Sequence, residues 1–533
     1  MDVLPSIVAE IPTQSMFAIY ITYDIIQTMP RTPGQQKIGR FIETLRERAG
    51  MTQGELAKAL KTSQSAVARM EKGEQNFTTE MLAKLGRALG RDIITLSSGA
   101  MSFRIEGGRK LAGTVQVNTS KNSAVALLCA SLLNHGKTTL RNMPRIEEVN
   151  RVVEVLQSIG VAVRWAGSDI ELAPPKKLRM DTLNTASAVR TRSVLMLMGP
   201  LIHELAAFKL PYPGGCKLGQ RTVRPHLFAL QKLGVDITAT KGNYHIVSKK
   251  LRPADVVLYE AGDTVTENAL MAAARVPGKT IIKFASANYQ VQDVARFLVK
   301  LGVRVDGIGT TTMTVYGKRD IRTDVSYEPS EDPIEAMLFF SIAATTNSSL
   351  TIERCPIDFL ELELLKLEKM GFKYKILRHF KARNGETNLV DIKTFPSKLV
   401  ALEEKLHAQP YPGLNIDNLP FFAPIATQAK GTTLIHDWAY ENRAIYSMEL
   451  AKLGANVILA DPHRLYVEGP TELRGAEVVC PPALRPAVIV LIAMLAARGT
   501  SILRNVYSIN RGYEDLVNRL QKLGAKIEIL RGI

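Results

Sequence analysis

A single short phrase, Leu-x-x-hydrophobic-Gly, closes a leucine-striped segment six times along the chain, and each time a strand-like run follows at once. It reads LQSIG before Val161, LQKLG before Val235, LVKLG before Val303, LEKMG before Phe372, LAKLG before Ala455 and LQKLG before Ala525. Leucines three to four residues apart place an apolar stripe on one face of a helix, and the glycine supplies the left-handed conformation that stops it. The closing glycines, Gly160, Gly234, Gly302, Gly371, Gly454 and Gly524, recur about every 70 residues, too long for a solenoid and suited to a βαβ-containing unit. The phrase therefore predicts one repeated α/β architecture.

Composition supports burial of large cores. With 46% hydrophobic and 22% charged residues, the 533-residue chain reads as globular, with room for two to four domains. The most apolar stretches, Ala124 to Leu133 and Ala487 to Ala497, fall short of the roughly 18 residues that a membrane span needs, so no membrane partner is expected. Ile19 to Ile26 is an apolar run without a basic leader or a small-residue cleavage site, and Met29 could be the true start. Residues 1–36 are thus expected to be a disordered or mis-annotated extension. Cys129, Cys216, Cys355 and Cys480 are widely spaced, without CxxC pairs or histidines at metal-ligand spacing, which fits a reducing cytoplasm and predicts no metal site. The +17 net charge divides into about −2 before Lys37, about +4 between Lys37 and Ala100 and about +15 after it. A basic proteome and an extended nucleic-acid surface explain that surplus equally well.

From Ile38 the pattern changes to short helices at close spacing, expected over Ile38–Ala49, Thr52–Leu60, Ser63–Glu71 and Thr79–Leu89. The segment MTQGELAKALKTSQSAVARMEKG resembles the helix-turn-helix of the Cro/repressor-like family, which implies an all-α domain over 37–96. The third helix of such a domain enters the major groove, so Gln64, Ser65 and Arg69 would face base edges. Gln53 would touch the backbone, and Lys61 and Lys72 would neutralise phosphates. Double-stranded DNA is the partner so implied, although bundles of this type also make protein contacts, and Thr62 or Ser63 also suits a helix cap. One copy with so little charge would bind weakly, so a specific operator needs a dimer. Residues 97–100 read as a linker.

Beyond the linker come FRIEGGRKLAGTVQVNTSKNSAVALLCASLL, VRTRSVLMLMGPLI, LPYPGGCKLGQRTVRPH and ALRPAVIVLIAMLAARGTSILRNVYSINRGYEDLVNRLQKLGA. Together these resemble the enolpyruvyl transferases of the EPSP synthase superfamily, and within it those acting on UDP-N-acetylglucosamine. The resemblance implies a two-domain inside-out α/β barrel built from six βαβαββ units, as the six phrases require. One domain would comprise residues 101–120 plus 330–533, the other 121–329 with a cysteine loop. Phosphoenolpyruvate and UDP-N-acetylglucosamine would be the substrates, with no cofactor, and the reaction would be the first committed step of peptidoglycan synthesis.

The residues carry this chemistry in their own right. Cys216 lies on a Pro- and Gly-rich loop with Lys217 and Arg221 close by, cations that favour a reactive thiolate, whereas Cys129 and Cys355 sit in apolar runs and read as buried small hydrophobes. A substrate with a carboxylate and a phosphate on three carbons needs several cations converging from different segments. By the resemblance Lys121, Arg221 and Arg511 would grip the phosphate, and Arg443 and Arg485 the carboxylate. Cys216 would protonate the methylene carbon, and Asp417 in YPGLNID would take the proton of the attacking hydroxyl. Asn122 and Arg192 would contact the sugar nucleotide together with Asp417.

Departures from the family pattern cluster on the nucleotide side. Arg224 replaces an aspartate that contacts uracil in the family, and Gly262-Asp-Thr-Val-Thr266 stands where a Ser-Val-Gly-Ala-Thr uridine loop is usual. Glu147 takes the place of a lysine, Asn288-Tyr289-Gln290 that of Glu-Pro-Glu, and Ala483-Leu484-Arg485 that of Asp-Leu-Arg. A different acceptor, or a regulator whose transferase-like part senses a ligand, are the alternatives these changes leave open.

Overall fold

The structure, a computed structural model, describes residues 33–74, 81, 84–85, 88–89, 101–214 and 222–531. The N-terminal run Ile19–Ile26, the linker 97–100, and Cys216, Lys217 and Arg221 lie outside the described residues, as does most of the helix expected over Thr79–Leu89. Two compact units are present, Met1–Gly99 and Ala100–Ile533.

In the first unit, helices span Pro33–Arg48, Gln53–Leu60 and Gln64–Glu71. The first begins ahead of the expected start, with Pro33 at a position where a missing N–H costs nothing. Thr52 forms a capping box with Glu55: the Glu55 N–H donates to Thr52 Oγ1 at 3.2 Å, and the Thr52 N–H donates to Glu55 Oε2 at 2.7 Å. Ser63 caps the third helix by accepting from the Ala66 N–H at 3.2 Å. Ile42, Leu45, Leu56, Val67, Met70 and Leu85 form the core. Beside it, buried Arg46 pairs with Glu71 at 2.6 Å.

The second unit realises the repeat. All six phrase-ending glycines have positive φ, between 84° at Gly302 and Gly371 and 102° at Gly160. A helix precedes each and a strand follows, as at Ala162–Ala166, Val235–Thr240 and Lys526–Arg531. One departure occurs in the fifth phrase, where Ala444–Leu453 is a 3-10 helix rather than an α-helix. Among the described residues the strands make five four-stranded sheets and one three-stranded sheet. Each four-stranded sheet sets antiparallel strands beside one parallel edge strand, for example Asp255–Val257 along Gly278–Lys283.

Two apolar cores sit under these sheets, one gathered from residues between Ala124 and Tyr327, the other from Phe103–Val117, Tyr289 and residues from Ile334 on. In the first core, helices Lys121–Ala130 and Asp263–Ala274 pack with the short helices Arg192–Leu197 and Met198–Leu201. In the second, Pro333–Thr345, Phe422–Ala426 and Leu484–Ala496 pack on one another. These helices are apolar around nearly their whole circumference and buried, so the sheets, not the helices, face water. The chain crosses between the cores twice. Beside the crossings Ala112–Gln116 pairs with Ser349–Pro356 in one core and Val325–Tyr327 with Thr138–Leu140 in the other, so each parallel pair closes its own core over a long stretch of intervening chain. Among the described residues no helix is long and apolar enough to cross a membrane.

Candidate active site

The buried helices share a consequence for chemistry: their first turns open on one cleft. Lys121 and Asn122, Arg192 and Ser193, Asp263 and Thr264, and Leu484 and Arg485 all line it. Asp417, just ahead of the short helix Leu419–Phe421, lines it too, with Arg443 and Arg511. The cleft holds about 780 Å³. Helix N-termini present free N–H groups and the positive end of the helix dipole, so this arrangement favours anions before any side chain is counted.

Lys121 Nζ pairs with Glu148 Oε2 at 2.9 Å, and Thr191 and Ser193 hydroxyls lie 3.4 Å from Glu148 Oε1. Burial pushes the Glu148 carboxyl up, but the Lys121 ammonium and the Arg511 guanidinium more than offset it and hold Glu148 below the usual carboxylate range. Asn122 Nδ2 donates to the Tyr289 hydroxyl at 3.1 Å. Arg192 donates to the Thr222 carbonyl at 2.8 Å, which fixes it at the edge of the cysteine loop.

Asp417 lies between two guanidinium groups, with Oδ1 3.6 Å from Arg443 Nη1 and Oδ2 3.4 Å from Arg485 Nη2. Arg443 is buried and forked onto Asp437 at 2.5 and 2.8 Å, donates to the Ile416 carbonyl at 2.7 Å, and stacks 4.2 Å over the Tyr440 ring. Burial opposes its charge, but Asp437 first, then Tyr440 and Asp417, hold its pKa above the ordinary arginine value. Arg485 donates to the Tyr513 hydroxyl at 2.8 Å and is likewise raised against burial, by Tyr513, Asp417 and Asp332. Asp332 caps the helix Pro333–Thr345 by accepting from the Ile334 N–H at 2.9 Å; burial lifts its pKa to about 6 against the pull of Arg485. His226, a neighbour of the cysteine loop, is buried beside Arg192 and pushed down to about 3, so it is a neutral imidazole held by Asn268 at 3.2 Å.

The structure thus brings Lys121, Asn122, Arg192, Asp417, Arg443, Arg485 and Arg511 to one cleft. Sequence reasoning missed the groups that hold them: Glu148, Asp437, Tyr513 and Asp332. Tyr513 carried a signal, as the last residue of the Asn-Arg-Gly-Tyr motif, and Asp437 stands six residues before Arg443; Glu148 carried none. Cys129 and Cys355 are fully buried thiols raised by desolvation. Among the described residues no group of three or more His, Cys, Asp or Glu side chains is placed to hold a metal ion.

The sequence pattern described as EPSP synthase (3-phosphoshikimate 1-carboxyvinyltransferase) matches residues 105–520. The chain belongs to the EPSP synthase family of enolpyruvyl transferases. Residues 37–95 match a helix-turn-helix domain. Within the enolpyruvyl transferases, UDP-N-acetylglucosamine 1-carboxyvinyltransferase of Bradyrhizobium diazoefficiens is 34% identical over 428 residues, covering 80% of this chain and 98% of that protein. The protein of the same name from Treponema denticola is 33% identical, covering 80% and 99%. Among solved structures, the enolpyruvyl transferase NikO from Streptomyces tendae superposes with a TM-score of 0.70 at 23% identity, over 81% of this chain and 99% of that one. EPSP synthase from Acinetobacter baumannii gives 0.64 at 19% identity, over 81% and 100%. These superpositions establish the fold.

In the helix-turn-helix unit, Gln64, Ser65 and Arg69 are exposed on the third helix. Gln53, expected at the DNA backbone, donates its amide to Glu71 Oε2 at 2.8 Å and so braces the Arg46–Glu71 pair.

Proposed function

We propose that the cleft transfers the enolpyruvyl group of phosphoenolpyruvate to the 3-hydroxyl of UDP-N-acetylglucosamine with release of phosphate. The observation that carries this reading is the convergence of Lys121, Asp417, Arg443, Arg485 and Arg511 on one cleft beneath helix N-termini. The relatives that cover the transferase unit from end to end bear the name of this activity.

In the proposed reaction, the sugar O3 bonds to C2 of phosphoenolpyruvate while Asp417 takes the O3 proton. The electron pair of the C2–C3 double bond takes a proton at C3 from the Cys216 thiol, giving a tetrahedral adduct. The Cys216 thiolate then takes a proton back from C3, which reforms the double bond as the C2–O bond to phosphate breaks and the phosphate leaves with the bonding pair. Lys121, Arg511 and Arg221 hold the departing phosphate, while Arg443 and Arg485 hold the carboxylate. Asn122 and Arg192 contact the sugar nucleotide. A cytoplasmic location and a domain boundary at residues 120/121 and 329/330 belong to the same proposal, the boundary supported by the division of the two cores. We also propose that residues 37–95 bind double-stranded DNA through Gln64, Ser65 and Arg69.

The test is phosphate release by the full chain given phosphoenolpyruvate, with and without UDP-N-acetylglucosamine, followed by mass analysis of the sugar. Acceptor-dependent phosphate and a product heavier by one enolpyruvyl group are expected. Absence of both in folded protein overturns the acceptor.

A further inference from the structure

One flank of the cleft carries side chains that the proposed chemistry does not use. Phe284 and Tyr259 line the cleft, yet Phe284 is 53% exposed and Tyr259 is 72% exposed. A third ring, Phe228, is 43% exposed and lies 5.7 Å from Tyr259 at a tilted 58°. Large rings left this open in a cleft are there to be covered by something planar and apolar.

Their place in the fold is specific. Strands Asp255–Val257 and Gly278–Lys283 run parallel, with Val257 opposite Lys283, and the Leu258 N–H donates to the Lys283 carbonyl at 3.0 Å. Tyr259 and Phe284 therefore leave the carboxyl ends of two adjacent parallel strands, the edge at which α/β sheets bind ligands. Phe284 also has φ 60°, a left-handed conformation that asparagine or glycine tolerates and a bulky ring does not. Backbone strain of this kind persists where the displayed side chain has a use. The adjoining loop supplies Glu260 and Asp263, both lining the cleft, and Asp263 is held by the Ser286 hydroxyl at 2.5 Å and the Asn288 amide at 3.1 Å.

We propose that Phe284 and Tyr259 form the platform on which the planar base of the acceptor nucleotide stacks, and that they set acceptor specificity. This rests on the nucleotide-sugar reading above and names the subsite for its base. Phe284→Ala and Tyr259→Ala then raise the KM for UDP-N-acetylglucosamine about 5- to 100-fold, the range expected for loss of one base–aromatic stack. The KM for phosphoenolpyruvate does not change, and Tyr259→Phe, which keeps the ring, restores most of the acceptor affinity that Tyr259→Ala loses. Phe284→Asn separates function from structure: it loses acceptor affinity equally while the Tm rises, because asparagine relieves the left-handed strain. An acceptor KM within twofold of native in both alanine variants overturns the platform. Should the native chain not turn over UDP-N-acetylglucosamine at all, the acceptor reading fails by itself, and calorimetric titration of uridine 5′-monophosphate decides the platform. Binding that weakens at least fivefold in Phe284→Ala supports it; equal binding, or none to the native chain, overturns it.

Discussion

Removal of the Asp437 carboxylate tests whether the cleft is held open by its own ion pairs. Arg443 is 2% exposed and Asp437 is 3% exposed, and two of the guanidinium nitrogens end on that carboxylate. Asp437→Ala leaves a buried charge with the Ile416 carbonyl, the Tyr440 ring face and Asp417 at 3.6 Å as its remaining partners. Loss of one member of a buried pair costs about 3–5 kcal/mol, and the residual partners place this case near the lower figure. For a unit running from Ala100 to Ile533, at about 2.1 cal/mol/K of unfolding entropy per residue, a loss near 3 kcal/mol lowers Tm by about 3–4 °C. Asp437→Asn keeps the shape and one acceptor, so its loss is smaller.

The assay pairs thermal unfolding with steady-state kinetics. Arg443 is the proposed carboxylate contact, so the KM for phosphoenolpyruvate rises at least about tenfold, the worth of one charge-assisted hydrogen bond. Saturating phosphoenolpyruvate then restores part of the lost Tm, because its carboxylate supplies the missing counter-charge. An alanine variant with native Tm and native KM would refute the reasoning outright, since it would mean that Arg443 neither depends on Asp437 nor meets the donor.

Other substitutions address separate steps. Asp417→Asn lowers kcat by about 10²–10⁴ if it is the base, with some loss of Tm because Arg443 and Arg485 lose a counter-charge, and residual activity above a tenth of native removes it from that role. Cys216→Ala abolishes turnover, and an epoxide phosphonate such as fosfomycin adds its mass to the native chain but not to that variant. Asp332 titrates near 6 in the folded protein against an ordinary 3.8, so its contribution to stability is complete below the lower value and lost as pH rises through the higher one. The Tm advantage of Asp332→Asn over native therefore grows between about pH 4 and pH 7, and parallel pH–Tm curves would contradict the burial argument. Arg69→Ala weakens binding to double-stranded DNA in a mobility assay without altering phosphate release.

How much of this was legible in the sequence depended on range. The six helix stops were, because leucine spacing and a left-handed glycine are local requirements, and the helix cap at Ser63 was readable for the same reason, whereas the cap at Thr52 was read as the first helical residue. The 3-10 winding of Ala444–Leu453 was not, since its residues are ordinary helix formers and tertiary packing decides the form. Site cations were found through their motifs, but their partners were not. Arg485 meets Asp417 across 68 residues and Lys121 meets Glu148 across 27, separations that no local pattern encodes. The long-range pairing of the edge strands is hidden for a similar reason: Ala112–Gln116 looks like any short strand, and only pairing with Ser349–Pro356 assigns it to its sheet.

Those same long-range pairs give the cleft an electrostatic logic that one more substitution probes. Several cations gathered beneath helix N-termini would repel one another, and the cleft offsets this with resident carboxylates: Glu148 for Lys121 and Arg511, Asp437 and Asp417 for Arg443, Asp417 for Arg485. An incoming phosphate then competes with Glu148 for Lys121. Neutralising that competitor by Glu148→Gln keeps the shape and removes one negative charge; at about 5 Å and an effective dielectric near 20 the Coulomb gain is roughly 3 kcal/mol before screening. Solvent screening leaves a tightening of about tenfold in the Kd of inorganic phosphate, measured by calorimetry. The cost appears in stability. The Glu148 carboxyl is depressed when folded, so its contribution is present above the ordinary glutamate value and lost as pH falls through the depressed one; the variant is less stable than native at pH 7 and approaches it in acid. Weaker phosphate binding in Glu148→Gln would mean that Lys121 needs its partner for position more than it loses to competition, and the offsetting role would pass from charge to geometry.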